Sequence, residues 1–224
     1  MSESQPPRKL SQADAQEIIR LANIIYFRTQ AYENTHWMGV KAMKCPMDMW
    51  IYQELMFALK TDLVIETGTF AGGSALFFAN VLDALGAGSV LSIDINLQAR
   101  LPQHERIEYL EGSSVSPAVL ETVAARCEGA ESVLVILDSD HKAAYKLQEL
   151  RAYAGFVTPD SYLIAEDSTF DYFPAWPEYG PGPASAVREF MNGQQDFEMD
   201  RSQERHLVTF APAAFLRRKS PADD

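Results

Sequence analysis

From Asp62 onward, short runs of Val, Ile and Leu alternate with longer stretches of helical period. LVIET (63–67), SVLSID (89–94), RIEYLEG (106–112), SVLVILD (132–138) and SYLIAED (161–167) are the strand candidates. Between them, GSALFFANVLDAL, PAVLETVAARC and KAAYKLQELRAYAG carry the spacing of helices with one buried face. Apolar runs this continuous belong to strands buried on both faces, as parallel strands between helix layers are. The closing stretch FEMDRSQERHLVTFAPAAFLRR predicts two more strands, HLVTF the clearer, forming a terminal hairpin. The fold class is therefore α/β, a doubly wound, mostly parallel, seven-stranded sheet.

The first sixty residues predict helices. Ser11 is an N-cap candidate for a helix whose Ile18, Leu21, Ile25 and Phe27 form an apolar face. A second helix is expected over 48–57, with THWMGVKAMKCP irregular between the two. Trp37, Trp50, Tyr52 and the methionines at 38, 43, 47 and 49 are expected in the core. The organisation is a helical extension over 1–60, serving as a lid or in self-association, a main domain over 61–218 and a disordered tail over 219–224. The first ten or so residues are expected to fray.

Composition narrows the class. At 224 residues, 47% hydrophobic and 22% charged, the chain has the makings of one ordinary globular domain. Cys45 and Cys127 form neither a disulfide framework nor a metal motif. No apolar run reaches the roughly 18 residues of a membrane span, and the N-terminal stretch lacks the apolar core of a signal peptide, so a cytoplasmic protein is expected. The 19 basic residues face 31 acidic ones, a formal charge of −12, and the basic ones cluster only at Arg217-Arg218-Lys219. Such a chain repels a phosphate backbone, which argues against nucleic acid as a partner.

The chemistry gathers at strand ends, where ligands of open α/β sheets bind. The first strand runs through Glu66-Thr67-Gly68-Thr69-Phe70-Ala71-Gly72-Gly73-Ser74 into a helix, a turn whose opening amides suit a carboxylate. It is not the dinucleotide fingerprint G-x-G-x-x-G, because Glu66 and Phe70 flank Gly68 at the two-residue spacing. Asp94 ends the second strand, either to accept ribose hydroxyls or to cap a loop. Ser113-Ser114 follow the third, either to meet an adenine or to cap the next helix. The fourth strand ends in Asp138-Ser139-Asp140-His141 and the fifth in Glu166-Asp167. Neighbouring strands lie about 4.8 Å apart, so Asp138, Glu166 and Asp167 converge. Carboxylates so close repel unless a cation such as Mg²⁺ neutralises them. His141, on the first turn of the following helix, is placed to take a proton there.

These blocks resemble the cephalosporin hydroxylase/rhamnosyl O-methyltransferase group of class I, metal-dependent S-adenosylmethionine (SAM) methyltransferases. The matching blocks are HWMGVKAMKCPMDMWIYQEL, VIETGTFAGGSALFFANVLDALGAGSVLSIDI, EYLEGSS, VILDSDH, AYAGFVTPDSYLIAEDS, GPGPASAVREFM and TFAPAAFLRR, covering roughly residues 36–218. The resemblance implies that Glu66, Gly68, Thr69, Gly73 and Ser74 line the SAM site, that Asp94 binds the ribose and that Ser113 and Ser114 border the adenine. It implies Asp138, Glu166 and Asp167 as Mg²⁺ ligands and His141 as general base. The acceptor would be a hydroxyl of a small-molecule secondary metabolite, such as a sugar on a natural product, and relatives suggest a homo-oligomer. The segment STFDYFPAWPEYGPGP is expected to shape the acceptor pocket, and Ala213-Ala214 stand where relatives often carry a glycine-containing turn. The alternative is a nicotinamide-dependent oxidoreductase on the same architecture.

Overall fold

The computed structural model describes residues 10–220; expectations for the first nine residues and for 221–224 lie outside the described residues. In order, the elements are α1 (Gln12–Arg28), β1 (His36–Trp37), β2 (Val40–Lys41), α2 (Pro46–Leu59), β3 (Leu63–Thr67), α3 (Gly73–Leu85), β4 (Ser89–Asp94), β5 (Ile107–Glu111) and α4 (Pro117–Cys127). They continue through β6 (Val133–Leu137), α5 (Ala143–Tyr153), β7 (Tyr162–Ala165), α6 (Thr169–Tyr172), α7 (Pro183–Met191), β8 (Phe197–Met199) and β9 (Phe215–Arg218).

Seven strands form one sheet in the order β5-β4-β3-β6-β7-β9-β8. β5, β4, β3, β6 and β7 pair in parallel, and β9 runs antiparallel to both β7 and β8. Every residue of β3 and of β6 is buried. Because alternate side chains leave opposite faces of a strand, this burial means that both sheet faces are covered. The winding reverses between β3 and β6, whose last residues, Thr67 and Leu137, are paired. The doubly wound expectation is met.

The N-terminal region departs from expectation in detail. Ser11 does cap α1: its hydroxyl accepts from the Asp14 amide at 3.1 Å, and the Asp14 carboxylate accepts from the Ser11 amide at 3.0 Å. Yet Ile18, Leu21 and Ile25 face solvent, and the buried pair is Asn23 with Phe27, one helical turn apart. Asn23 docks the helix, donating to the carbonyls of Ile19 and Leu207 and accepting from the Thr209 amide. Tyr52, Ile51 and Met56 of α2 belong to the same apolar core as the sheet, whereas Trp50 and Met47 on its other face are exposed. Met38 is exposed as well, and Trp37 packs edge-on against Phe77 with ring centroids 4.9 Å apart.

HLVTF (206–210) is not a strand; the two closing strands are Phe197–Met199 and Phe215–Arg218. Its backbone groups are taken by α1 and α2 instead of by a sheet neighbour. The Phe210 amide donates to Asp48 Oδ2 at 2.7 Å, the Thr209 amide reaches Asn23, and Leu207 sits in the left-handed region at φ 70°. Ala213 is also left-handed at φ 56°, the conformation a glycine adopts most readily. At the start of the predicted tail, the Lys219 amide is held by the Asp196 carbonyl. Among the described residues no helix is long and apolar enough to cross a membrane.

Candidate active site

A cavity of about 780 Å³ opens along the C-terminal ends of β3, β4, β5, β6 and β7, a size usual for a small-molecule site. Its lining joins polar strand-end residues (Gly68, Thr69, Ser74, Asp94, Ser114) to Asp138, His141 and Asp167, and these to an aromatic wall of Phe27, Tyr32, Phe170, Trp176, Tyr179 and Phe210.

Gly68 is where the chain must turn without a side chain. Its φ is +92°, and a Cβ there would stand 2.0 Å from the Asp138 carbonyl oxygen. This packing brings the ends of β3 and β6 together. Gly73 serves a second close approach, since a Cβ would lie 2.4 Å from the carbonyl oxygen of Lys41. The segment leading to α2 therefore lies directly on the opening of α3. Beneath the turn, Glu66 is fully buried: Oε2 accepts from Ser92 Oγ at 2.7 Å, and Oε1 has no partner. Burial raises its pKa, opposed by the charge of Lys44. An orphaned carboxylate oxygen under a glycine turn is suited to an ammonium group. Thr69 and Ser92 share a hydrogen bond of 2.8 Å.

Both oxygens of Asp94 are oriented by backbone donors, Oδ2 by the Phe70 amide and Oδ1 by the Asn96 amide, each at 3.0 Å. Their remaining lone pairs are free to accept from vicinal hydroxyls. Ser113 and Ser114 both bond the Tyr145 hydroxyl, at 2.9 and 3.0 Å, but only Ser114 lines the cavity. Sequence reasoning missed the group behind them. Glu149 Oε1, fully buried, accepts from Ser114 Oγ and from Ser139 Oγ, both at 2.7 Å, while its other oxygen pairs with the buried Lys146 at 3.1 Å. In the sequence nothing marks the two charges, three residues apart on a helix, as buried.

The acids at the ends of β6 and β7 divide into two sets. Asp138, His141 and Asp167 each present a ligand atom within 4.8 Å of the others. His141 Nδ1 lies 3.0 Å from Asp167 Oδ2. Two hard oxygens and an imidazole nitrogen make a donor set that fits a divalent cation. Glu166, expected with them, turns inward. Its Oε1 accepts from the Tyr52 hydroxyl at 2.6 Å and from the Lys44 ammonium at 2.8 Å, and the same ammonium donates to Asp138 Oδ2 at 2.6 Å. The physical reason is charge: a fully buried carboxylate needs a cation, and Lys44 supplies one. Burial, with the repulsion of Asp138 and Asp167, pushes Glu166 up to about 8 even against Lys44. Burial would lower both the Lys44 and the His141 pKa, but the neighbouring carboxylates win. Lys44 is held well above its ordinary value, and His141 rises to about 9, chiefly through Asp167. Lys44 and Tyr52 gave no signal in the sequence, one being a single lysine in an irregular segment and the other an aromatic residue on a core helix.

Residues 29–219 match the family described as Rhamnosyl O-methyltransferase/CmcI. The chain belongs to this family. It is 38% identical over 206 residues to the rhamnosyl O-methyltransferase of Mycobacterium leprae, covering 87% of each chain. It is 35% identical over 203 residues to the rhamnosyl O-methyltransferase of Mycobacterium tuberculosis, covering 86% of this chain and 82% of that one. Among solved structures, the CmcI-N160 apo-structure superposes with a TM-score of 0.67 at 20% identity, covering 97% of this chain and 88% of that one. The cmcI-D160 Mg-SAM structure gives 0.65 at 18% identity, with the same coverage. These two likenesses carry the fold alone. As a member of the family, the chain has the fold class and the family resemblance read from its sequence.

Proposed function

We propose that this protein is a Mg²⁺-dependent O-methyltransferase that moves a methyl group from SAM to a hydroxyl of a sugar on a small-molecule glycoside. The observation that carries the proposal is one cavity in which nucleoside-type acceptors, a cation-type donor set and an aromatic wall are contiguous. The named activity of the 38%-identical relative supports the sugar hydroxyl as acceptor.

In this reading Asp94 receives the ribose hydroxyls, Ser114 with Tyr145 borders the adenine, and Glu66 Oε1 receives the methionine ammonium. Asp138 and Asp167 would hold the cation, which leaves His141 for the proton. A Mg²⁺ ion held there would supply charge that lowers the pKa of an acceptor hydroxyl and offsets the carboxylate field that keeps His141 protonated. His141 then works like any oriented imidazole. Asp167 holds Nδ1, leaving Nε2 to take the hydroxyl proton as the oxygen–carbon bond forms and the carbon–sulfur bond of SAM breaks. Most of the rate comes from alignment of the three reacting atoms, which the rigid strand ends enforce.

The aromatic wall begins beside the base, with the Phe170 ring centroid 5.6 Å from that of His141. Phe170 stacks on Tyr179 with centroids 5.8 Å apart, and Phe27 packs on Phe210 at 4.5 Å. Flat apolar faces of this kind suit the C–H face of a pyranose ring and an apolar aglycone. Calorimetry with SAM, in EDTA and again with Mg²⁺, followed by methyl transfer from labelled SAM to a panel of rhamnosides, tests the reading. Absence of SAM binding under both conditions would overturn it.

A further inference from the structure

Lys44 is a lysine whose side chain is 2% exposed and whose ammonium bridges two buried carboxylates, Asp138 Oδ2 and Glu166 Oε1. Asp138 also belongs to the cation donor set with His141 and Asp167, while Glu166 lies inward of it. An oxygen committed to an ammonium at 2.6 Å is not available to a divalent ion. The lysine lies between a left-handed residue and the start of a helix. Met43 before it is left-handed at φ 52°, and Cys45-Pro46 after it begin α2. The preceding carbonyl of Lys41 lies against Gly73, and Ala42 and Met43 line the cavity.

We infer that Lys44 is a resident counter-cation standing between Asp138 and Glu166, and that a divalent metal ligated by Asp138 enters by displacing it from that carboxylate. The inference rests on the metal dependence proposed above. One monovalent charge keeps the acids from repelling while no metal is bound, so the site stays folded and closed when empty. The metal replaces one charge with two and releases the ammonium. Because Lys44 is joined to the segment lying on Gly73, the exchange moves the covering of the cofactor turn and couples metal entry to the SAM side of the cavity. Lys44 is thus a positioning residue acting through Asp138 and Glu166.

The test is titration of the metal-free protein with Mn²⁺ alone, followed by electron paramagnetic resonance, for wild type, Lys44→Met and Lys44→Gln, with melting temperature read with and without the ion. Removing the competitor should tighten Mn²⁺ binding about tenfold or more in both variants. It should also lower the melting temperature without metal and give a larger rise on Mn²⁺ addition than wild type shows. Mn²⁺ affinity that is unchanged or weaker in whichever variant folds would overturn the exchange while leaving metal dependence intact. Absence of Mn²⁺ binding in wild type and variants alike would overturn the metal reading itself, and the exchange with it.

Discussion

His141 Nδ1 and Asp167 Oδ2 are 3.0 Å apart, and this contact decides the charge of the imidazole when no metal is bound. Burial alone would favour the neutral ring; Asp167 first, and Asp138 after it, hold the proton on to about pH 9. The sign follows. The pairing contributes its stability below the unfolded histidine pKa of about 6.5 and loses it as pH rises through the folded value. Asp167→Asn should move the His141 titration well below about 9, because the largest raising effect is lost and only Asp138 remains to oppose burial. Histidine ring NMR across pH 5 to 10 in metal-free protein reads this, and an unmoved titration would remove Asp167 as the cause.

Asp94 is preorganised by two backbone amides, so its carboxylate needs little reordering to receive a ligand. Asp94→Ala should weaken SAM binding by about 1.5–3 kcal/mol, roughly ten- to 150-fold in Kd. Mn²⁺ affinity should not change, since Asp94 is absent from the cation set. Equal SAM affinity in calorimetry would make Asp94 a loop anchor only.

Two glycines with similar φ should respond differently to a methyl group. A Cβ at Gly68 meets the Asp138 carbonyl at 2.0 Å, while one at Gly129, φ +81°, meets nothing within 4 Å. Gly129→Ala should cost about 1 kcal/mol of left-handed backbone strain. Gly68→Ala adds a clash between β3 and β6 and should exceed about 4 kcal/mol. Urea midpoints distinguish the two, and equal losses would mean that β3 and β6 can part at no cost.

Asp48 carries a pH dependence set mainly by its own burial, with smaller effects of Lys44 and Asp167. Burial raises its pKa to about 7, against the hydrogen bonds it accepts from the Phe210 amide and Thr209. Between about pH 4 and 7 the folded protein keeps a proton that the unfolded chain has released, so stability falls as pH rises, by at most roughly 4 kcal/mol. Asp48→Asn keeps an acceptor for Phe210 and removes the titration. The difference between wild-type and variant melting temperatures should therefore grow in the variant's favour from pH 4.5 to 7.5. A constant difference would refute the burial cost.

What was legible in the sequence was the set of groups fixed by strand period and strand end. β3, β4, β6 and β7 are apolar throughout or nearly so, and each delivers its last polar residue to the same edge, so Gly68, Asp94, Asp138 and Asp167 could be placed without coordinates. What escaped depended on contacts between distant segments. Glu166 and Asp167 are adjacent, and only the arrival of Lys44 and Tyr52 from before β3 separates their roles. HLVTF has strand composition but loses its backbone partners to Asn23 and Asp48. The helical period of α1 is sound, yet two residues, Asn23 and Phe27, set which face turns inward, against the three aliphatic side chains Ile18, Leu21 and Ile25.

The aromatic wall is assembled from three stretches far apart in the chain: Phe27 and Tyr32 near the start, 170–179 after β7, and Phe210 before β9. None of these residues lies on a parallel strand, and none belongs to the polar strand-end set. On the proposed function, acceptor choice would be written in peripheral connections that touch one another, and the methyl-transfer apparatus in the sheet. An exchange of all three stretches together, keeping the Phe27–Phe210 and Phe170–Tyr179 contacts matched, is on that proposal a graft that would re-address the enzyme to another acceptor without rewiring its chemistry. Exchanging one stretch alone breaks the ring contacts that hold the other two in place.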